Sequence, residues 1–336
     1  MRKKLISVVL ALTLAGLLCG CGGGDGTKEE ASGSGDTTAK ETEQESGSDA
    51  KGETLKIGCV VKFQHEFYTS LMEGAKKAAD ELGCEIETMA PSSPSDVTGQ
   101  VQMVEDLVAK GIDILLIAPN QAETLKNVFD VAVEKGVKII AVDTDLPDYE
   151  NKTAFVGTGN YEAVKYGATE LSKLLPDGAN VVVLRGPLGD ANHELRSAGA
   201  VDGLEEAGCN VLEVFDAEST AEKASAAAED FLLKYKSEGI DAFLCCDDEM
   251  AVGTVTAIKQ AGKGEDILVT GYDGNAAAVE MVGSKDMAFD LAQNPFEMGY
   301  QGVEVGVKAM KGEAFEETVD TGVQIITKDN YKDFLS

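Results

Sequence analysis

The chain has 336 residues and carries 59 acidic side chains against 29 Lys and Arg, so its formal net charge is -30. A protein this acidic repels phosphate backbones, which argues against nucleic acid as a partner. Only two histidines and no tryptophan are present. Neither histidine lies in a recognisable catalytic triad or HExxH pattern, and no Cys/His spacing for zinc occurs.

The N-terminus predicts an exported protein. Arg2-Lys3-Lys4 precedes an apolar run, Leu5 to Leu18, that is too short to span a bilayer, which predicts a signal peptide over residues 1–20. Leu18-Cys19-Gly20-Cys21 resembles a bacterial lipobox and implies lipidation of Cys21. Residues 21–53 are almost free of apolar side chains, so we expect a disordered linker that tethers the folded part to the membrane.

From residue 54 onward, short apolar runs alternate with segments of helical spacing. This alternation predicts an α/β fold with parallel sheets covered on both faces. The predicted strands lie at residues 55–61, 84–88, 112–118, 137–142, 153–157, 181–184, 211–215 and 242–246. The segments ELGCEIE at 81–87 and EAGCNVLE at 206–213 follow comparable helices, which indicates two similar Rossmann-like lobes with a cleft between them.

The segment DAFLCCDDEMAVG at 241–253 suggests what the cleft binds. It reads as a buried strand ending at Asp247, with Asp248 capping the next helix. Ligands of open α/β sheets lie at the carboxyl ends of the strands. Carboxylates at a helix start repel phosphate, so a neutral hydroxylic ligand or a cation fits better. Asp143-Thr-Asp145 follows another predicted strand. It could form half of a metal site or a carboxylate pair, but an Asp that faces a ligand hydroxyl is the favoured interpretation.

Five cysteines lie beyond the linker: Cys59, Cys84, Cys209, Cys245 and Cys246. Cys59, Cys245 and Cys246 sit in apolar, strand-like runs, and Cys84 and Cys209 in predicted strands that follow Glu-Leu-Gly and Glu-Ala-Gly. A disulfide framework is the alternative, but a domain of this size does not need disulfides for stability. We therefore expect buried free thiols.

Several short motifs together resemble the type I periplasmic sugar-binding proteins, the ribose-binding group, over residues 54–336. The motifs, in chain order, are Phe67-Tyr68 followed by Glu73-Gly74-Ala75, Val142-Asp143, Gly159-Asn160, Arg196-Ser-Ala-Gly199, Asp247-Asp-Glu-Met-Ala251, Gly271-Tyr-Asp-Gly274 and Ala292-Gln293. The resemblance implies two lobes joined by three hinge crossings, near Thr158, Gln293 and Gly322. The lobes would comprise residues 54–158 plus 294–322 and residues 159–293 plus 323–336.

The resemblance also implies the binding residues. Five side chains would hydrogen-bond sugar hydroxyls: Asp143, Arg196, Asp247, Asp273 and Gln293. Phe67 would stack on the sugar ring with Tyr68 beside it, although ordinary core aromatics are the alternative. Further candidates are Asn160 and Asn192, either of which can instead cap a helix, and Lys62 and His65 where the first strand opens into the cleft. His193 is expected to be a solvated helix residue.

Departures from the ribose-binding pattern bear on the ligand. The first loop, residues 62–66, is one residue shorter, Thr144 stands where an arginine is usual, and Asp247 where an asparagine is usual. Thr220 replaces a position that is often aromatic. Ribose itself is therefore doubtful, and another pentose, a hexose or a polyol remains open.

The implied function is an extracytoplasmic, lipid-anchored, monomeric receptor that delivers a sugar or polyol to the permease of an ABC-type importer, without cofactor, metal or catalysis. One alternative is a sugar-sensing receptor for chemotaxis or a sensor kinase. Another is a secreted glycoside hydrolase using Asp143 and Asp247. A repressor is disfavoured by the export signal and by the lack of a helix-turn-helix segment before Leu55.

Overall fold

A computed structural model describes residues 54–93, 95–264 and 266–335, which lie in one compact unit, Gly52–Ser336. The predicted signal peptide, Cys21 and the linker lie outside the described residues. The first elements are β1 (Lys56–Val60), α1 (Glu66–Leu82), β2 (Glu85–Met89), α2 (Val97–Ala109), β3 (Ile114–Ile117), α3 (Ala122–Glu134), β4 (Lys138–Val142) and β5 (Ala154–Gly157).

The chain then enters a second series of the same kind. Its elements are α4 (Asn160–Ser172), β6 (Asn180–Arg185), α5 (Ala191–Glu206), β7 (Asn210–Asp216), α6 (Ala221–Lys234), β8 (Ala242–Cys245), α7 (Asp248–Gln260), β9 (Leu268–Asp273), α8 (Ala276–Ser284) and β10 (Phe289–Gln293). The last elements are α9 (Pro295–Lys311), β11 (Thr318–Asp320), β12 (Val323–Ile326) and a 3-10 turn, Tyr331–Phe334.

The strands form two six-stranded sheets with the same strand pattern, one in each lobe. The first sheet runs β11-β5-β4-β3-β1-β2 and the second β12-β10-β9-β8-β6-β7. The prediction of two α/β lobes is therefore confirmed. The chain passes between the sheets three times, after β5, after β10 and after β11.

The second sheet is not entirely parallel, because β12 pairs antiparallel with β10. Val323, the first residue of β12, lies opposite Gln293, the last residue of β10. The chain thus enters this sheet from the edge where the parallel strands end, and β12 must run the opposite way. The other strand pairs of the described residues are parallel, so the prediction of parallel sheets is confirmed apart from this strand.

The sheets are buried because helices cover them. In the first lobe, α1 and α9 pack on one face around Leu71 and Val303, and α2 and α3 pack on the other around Leu107 and Phe129. The second lobe has one continuous core that includes Phe243 and Tyr272. Strands such as β3, buried at every position, read as continuous apolar runs for this reason.

Helices α1 and α9 approach unusually closely because glycines face each other's backbones. A Cβ atom at Gly74 would lie 1.9 Å from the carbonyl oxygen of Phe296, and one at Gly299 would lie 1.9 Å from that of Leu71. No side chain fits at either position. The contact fixes the start of α1, which forms one wall of the cleft.

Candidate functional site

A cavity of about 510 Å³ lies at the carboxyl ends of the strands, with walls from both lobes. Its volume is in the range of small-molecule sites, which is about 300–1,000 Å³. Ten of the eleven predicted binding residues line it: Lys62, His65, Phe67, Tyr68, Asp143, Asn192, Arg196, Asp247, Asp273 and Gln293. The placement agrees with the rule that such crevices form where parallel strands end.

The start of α1 supplies an aromatic wall from the first lobe. His65 is the N-cap of the helix, and its Nδ1 accepts a hydrogen bond from the Phe67 N–H at 3.3 Å. The Phe67 and Tyr68 rings meet edge to face with centroids 5.2 Å apart, and the Phe63 and Tyr68 rings do so at 5.5 Å. This geometry holds the rings rigidly and exposes an apolar surface suited to the face of a sugar ring.

Asp143 stands directly after β4 with its carboxylate fixed from several sides. Its side chain accepts hydrogen bonds from the Tyr68 hydroxyl at 3.1 Å and the Thr144 hydroxyl at 2.8 Å. The residue is 4% exposed. Both donors hold the same oxygen, Oδ2, and Asn192 Nδ2 lies 3.5 Å from the other oxygen, Oδ1.

Arg196 on α5 is the central cation of the second lobe. Its Nε donates to Asn160 Oδ1 at 2.7 Å, and its Nη1 donates to the Cys246 carbonyl at 3.0 Å and to Asp273 Oδ1 at 3.4 Å. The guanidinium also lies 4.1 Å from the centroid of the Tyr272 ring. Burial by itself would lower the pKa of Arg196, but Asp273 and other nearby groups raise it above its ordinary value. The guanidinium is thus charged and held in one orientation.

Asn160, the eleventh predicted residue, does not line the cavity. It is the first residue of α4, and its Oδ1 accepts from both Arg196 Nε at 2.7 Å and the Tyr272 hydroxyl at 3.1 Å. Asn160 therefore lies behind Arg196 and positions it. Asn192, by contrast, faces the cavity, and the cap of its helix is Asp190.

Asp273 and Gln293 end the two neighbouring strands β9 and β10. Gln293 Nε2 donates to Asp273 Oδ1 at 2.7 Å. Burial raises the pKa of Asp273 to about 7, although the positive charge of Arg196 opposes this shift. This carboxyl group is therefore easier to protonate than that of an ordinary aspartic acid.

The acidic turn after β8 differs from the sequence prediction by one residue. Asp247, not Asp248, is the N-cap of α7, and its Oδ1 accepts from the Met250 N–H at 2.8 Å. Asp248 points into the protein, where its Oδ2 accepts from the Asn275 N–H at 2.7 Å. The expected cap at Asp248 was wrong because α7 already begins at Asp248, so the residue before it, Asp247, is the cap.

His193 is a wall residue of the cavity and is only 9% exposed, so the expectation of a solvated residue was wrong. Its Nδ1 accepts from the Gly186 N–H at 3.1 Å, which places the ring proton of the neutral form on Nε2. Nε2 lies 3.0 Å from the Ser219 hydroxyl and 3.7 Å from Asp247 Oδ2. Burial lowers the pKa of His193 to about 3, so the ring is neutral.

Polar contacts of Lys62 and Asn192 join the walls of the two lobes directly. Lys62 Nζ donates to Asp190 Oδ2 at 3.2 Å, and Asn192 Nδ2 donates to the Thr144 hydroxyl at 3.0 Å. The structure therefore has the lobes closed on each other. Asp190 was not among the predicted binding residues. It is the N-cap of α5, as Asp247 is of α7, so an aspartate directly before a helix is the sequence signal that could have identified it.

Backbone strain is concentrated at the cavity. Within the described ranges, five non-glycine residues have positive φ, and four of them line the cavity: Asp143 (62°), Glu218 (52°), Ser219 (54°) and Asp273 (128°). Each such conformation costs on the order of 1–3 kcal/mol and persists only where the surrounding structure imposes it. The clustering of these strained residues at the cavity indicates a site that serves ligand contacts and not stability.

No cluster of three or more His, Cys, Asp or Glu residues suited to a metal ion occurs in the described part of the chain. None of the helices over the same residues combines the length and apolar character required to cross a bilayer. The five cysteines beyond the linker are free; Cys84 is half-buried and the other four are buried.

The fold and the cavity define a two-lobed α/β binding protein with its site between the lobes. Residues 57–314 match the family described as periplasmic binding protein domain, and the chain belongs to that family.

Named relatives agree with this assignment. The chain is 30% identical over 269 residues to the ribose import binding protein of Haemophilus influenzae, covering 80% of this chain and 90% of the relative. It is 30% identical over 253 residues to the D-allose-binding periplasmic protein of Escherichia coli, covering 73% and 81%. A solute-binding protein of an ABC transporter from Actinobacillus succinogenes, solved with bound D-allose, has the same fold, with a TM-score of 0.75, 24% identity and coverage of 83% and 100%.

Proposed function

We propose that this protein is an extracytoplasmic receptor that captures a monosaccharide or polyol between its lobes and delivers it to an ABC-type importer. The observation that carries the proposal is the composition of the cavity wall. Fixed carboxylates and a fixed guanidinium face one enclosed space, beside the aromatic wall at the start of α1. Vicinal hydroxyls present paired donors and acceptors, which planar bidentate groups match.

In this proposal each wall has a defined role. Asp143 from the first lobe and Asp247, Asp273 and Arg196 from the second hydrogen-bond the hydroxyls, and Phe67 packs on the apolar face of the ring. Because the contacts come from both lobes, only the closed form makes all of them together. The ligand thus stabilises the closed form. The two lobes, within the predicted boundaries, are the parts that move relative to each other.

We further propose that the protein has no catalytic activity. Among the described residues, His193 with Ser219 and Asp247 forms an arrangement that resembles catalytic machinery. His193 Nδ1 already accepts a backbone hydrogen bond and its Nε2 carries the proton, so the neutral ring has no free acceptor for the Ser219 proton. Asp247 lies on the Nε2 side of the ring, not on the Nδ1 side where it would orient a general base.

The relatives named above are a ribose import binding protein and a D-allose-binding protein, which supports a sugar as the ligand. Delivery to a permease, rather than to a chemoreceptor or sensor kinase, is part of the proposal. So is anchoring through a lipid on Cys21. Incorporation of labelled palmitate that is lost in Cys21→Ser would test the anchor.

A thermal-shift screen of the purified protein against pentoses, hexoses and polyols tests the proposed function. A ligand at 100 times its Kd stabilises the folded protein by about 2.7 kcal/mol. We expect at least one compound to raise the melting temperature of the wild type and to have no effect on Asp273→Ala. Failure of every compound, or the same shift in Asp273→Ala, would contradict the proposal.

A further inference from the structure

The cavity wall carries more negative than positive charge. Its buried and half-buried ionisable side chains are four carboxylates, Asp143, Asp190, Asp247 and Asp273, and two cations, Lys62 and Arg196. Lys62 pairs with Asp190 at 3.2 Å, and Arg196 pairs with Asp273 at 3.4 Å. Asp143 and Asp247 are the two carboxylates of the wall that lie outside these two pairs.

Asp143 is well compensated by its neighbours. It accepts hydrogen bonds from the Tyr68 and Thr144 hydroxyls, and Lys62 Nζ lies 4.0 Å from its Oδ2. Asn192 Nδ2 adds a longer contact of 3.5 Å to its Oδ1. Asp143 therefore has polar partners and a nearby cation within the protein itself, independent of the ligand.

Asp247, which is 5% exposed, is less well compensated, because no Lys or Arg of the described residues forms an ion pair with it. Its Oδ1 is occupied by the Met250 N–H. The nearest ionisable group to its Oδ2 is His193 at 3.7 Å, and that ring is neutral because of its burial and its bond from Gly186. His193 thus offers a dipole and not a positive charge.

A buried carboxylate without a counter-charge is unstable in its ionised form. Burial raises the pKa of Asp247, and the Ser219 hydroxyl, the Met250 N–H and Arg196 oppose the shift without cancelling it. Either a proton or a cation brought by the ligand can neutralise the group. A cation has the further advantage that it gains a charge-assisted hydrogen bond in a site closed to water.

The rim has the same sign. Glu218 and Glu249 are exposed at the mouth of the cavity, and Glu218 is paired with Lys223. The field at the entrance therefore attracts a cationic ligand and repels an anionic one.

From this geometry we infer that the ligand carries a protonated amine, held against Asp247, and belongs to the amino sugars or amino-substituted polyols. The inference rests on the proposed function and refines it. Arg196, Asp273 and Asp143 remain available for the hydroxyl groups of the same ligand. The ammonium group would donate to Asp247 Oδ2, on the side of the cavity where His193 and Ser219 lie.

Calorimetric titration with matched ligand pairs tests the inference. The pairs are D-glucosamine with D-glucose, D-galactosamine with D-galactose and D-mannosamine with D-mannose, at about pH 6.5, where amines are protonated. We expect the wild type to bind at least one amino sugar about 10-fold more tightly than its parent, which corresponds to about 1.4 kcal/mol. Asp247→Asn keeps the capping oxygen but removes the charge, and should abolish this preference.

Glu222→Gln is the matched control, because it removes one exposed negative charge from the first turn of α6, outside the cavity wall. It should keep the preference for the amino sugar within about 3-fold, since the pairing at Asp247 is local. Melting curves of the unliganded variants establish that both are folded.

The other outcomes overturn the inference in distinguishable ways. Tighter binding of the parent sugars by the wild type, or an equal loss of both ligand classes in Asp247→Asn, would show that Asp247 binds a hydroxyl, and the proposed function would stand. No binding of any of the six sugars would overturn the inference, and the proposed function would fall only if the thermal-shift screen of pentoses, hexoses and polyols also found no ligand.

Discussion

Replacement of Asn160 tests whether this residue positions Arg196 or contacts the ligand. In Asn160→Ala, Arg196 Nε and the Tyr272 hydroxyl both lose the acceptor that lies 2.7 and 3.1 Å away. A hydrogen bond to a charged group contributes about 1.5–3 kcal/mol and a neutral one about 0.5–1.5 kcal/mol. The expected loss of stability is therefore about 2–4.5 kcal/mol. Alanine is well tolerated in the first turn of a helix, so α4 itself should not contribute.

The assay is the melting temperature of the unliganded protein. For a folded unit of this size about 1 kcal/mol shifts the melting temperature by about 2 °C, so Asn160→Ala should melt about 4–9 °C below the wild type. Tyr272→Phe removes only the neutral donor and should lower it by about 1–3 °C, which gives a graded control. An unchanged melting temperature in Asn160→Ala, with weaker ligand binding, would refute the positioning role and favour direct contact.

Three further perturbations test other parts of the structure. Gly74→Ala should lower the free energy of unfolding despite the better helix propensity of alanine, because its Cβ would lie 1.9 Å from the Phe296 carbonyl oxygen; urea denaturation measures this. Burial raises the pKa of Asp290 from 3.8 to about 7 and that of Asp248 well above its ordinary value. The free energy of unfolding should therefore fall as pH rises through about 7, which thermal melts from pH 5 to 8 measure. In thiol labelling of the native protein, Cys84 should react first, because burial raises the thiol pKa of the more deeply buried cysteines further.

The direction of the pH effect follows from which state holds the proton. Between about pH 4 and 7 the folded protein keeps a proton on Asp290 that the unfolded chain has lost, so stability is greatest on the acid side and declines through the folded pKa. Asp248 and Asp290 face each other around Gly271, where a Cβ would meet their Oδ1 atoms at 2.3 and 3.1 Å. Asp290→Asn should therefore flatten the profile. A melting temperature that rises from pH 6 to 8 in the wild type would contradict this account.

Matched controls separate the other two effects from general disturbance. Glu73→Ala, next to Gly74 but exposed, should leave the free energy of unfolding within about 0.5 kcal/mol of the wild type. Destabilisation equal to that of Gly74→Ala would rule out the backbone clash as the cause. Cys84→Ser should remove the fast labelling phase, and a fast phase that persists would place the reactive thiol elsewhere.

The sequence was most informative where a residue's position in the chain determines its place in the fold. Asp143, Asp247 and Asp273 each stand at the end of a parallel strand, and the ends of such strands meet at one crevice. Their location could therefore be predicted without knowledge of side-chain packing. The strand predictions agree with the structure to within about two residues because β1, β3, β4 and β8 are buried apolar runs.

Side-chain direction at helix starts was less predictable. His193 sits among polar residues on α5, and only the loop at Gly186 and the turn at Ser219 bury it. Asn160 begins a helix and has the ordinary sequence context of a cap, but the packing of α5 and β9 turns it toward Arg196 and Tyr272. Such contacts join residues distant in sequence, and no local periodicity encodes them.

The central claim, that a ligand is gripped by both lobes at once, is tested most directly by calorimetric titration of two single variants with a sugar identified in the thermal screen. Asp143→Ala removes a carboxylate from the first lobe and Asp273→Ala one from the second. Asp145→Ala, which removes the nearby carboxylate that pairs with Lys152, is the control. The account predicts that each of the first two variants loses about 100-fold in affinity, or about 2.7 kcal/mol, and that the control binds within about 3-fold of the wild type. Wild-type affinity in either Asp143→Ala or Asp273→Ala would contradict it.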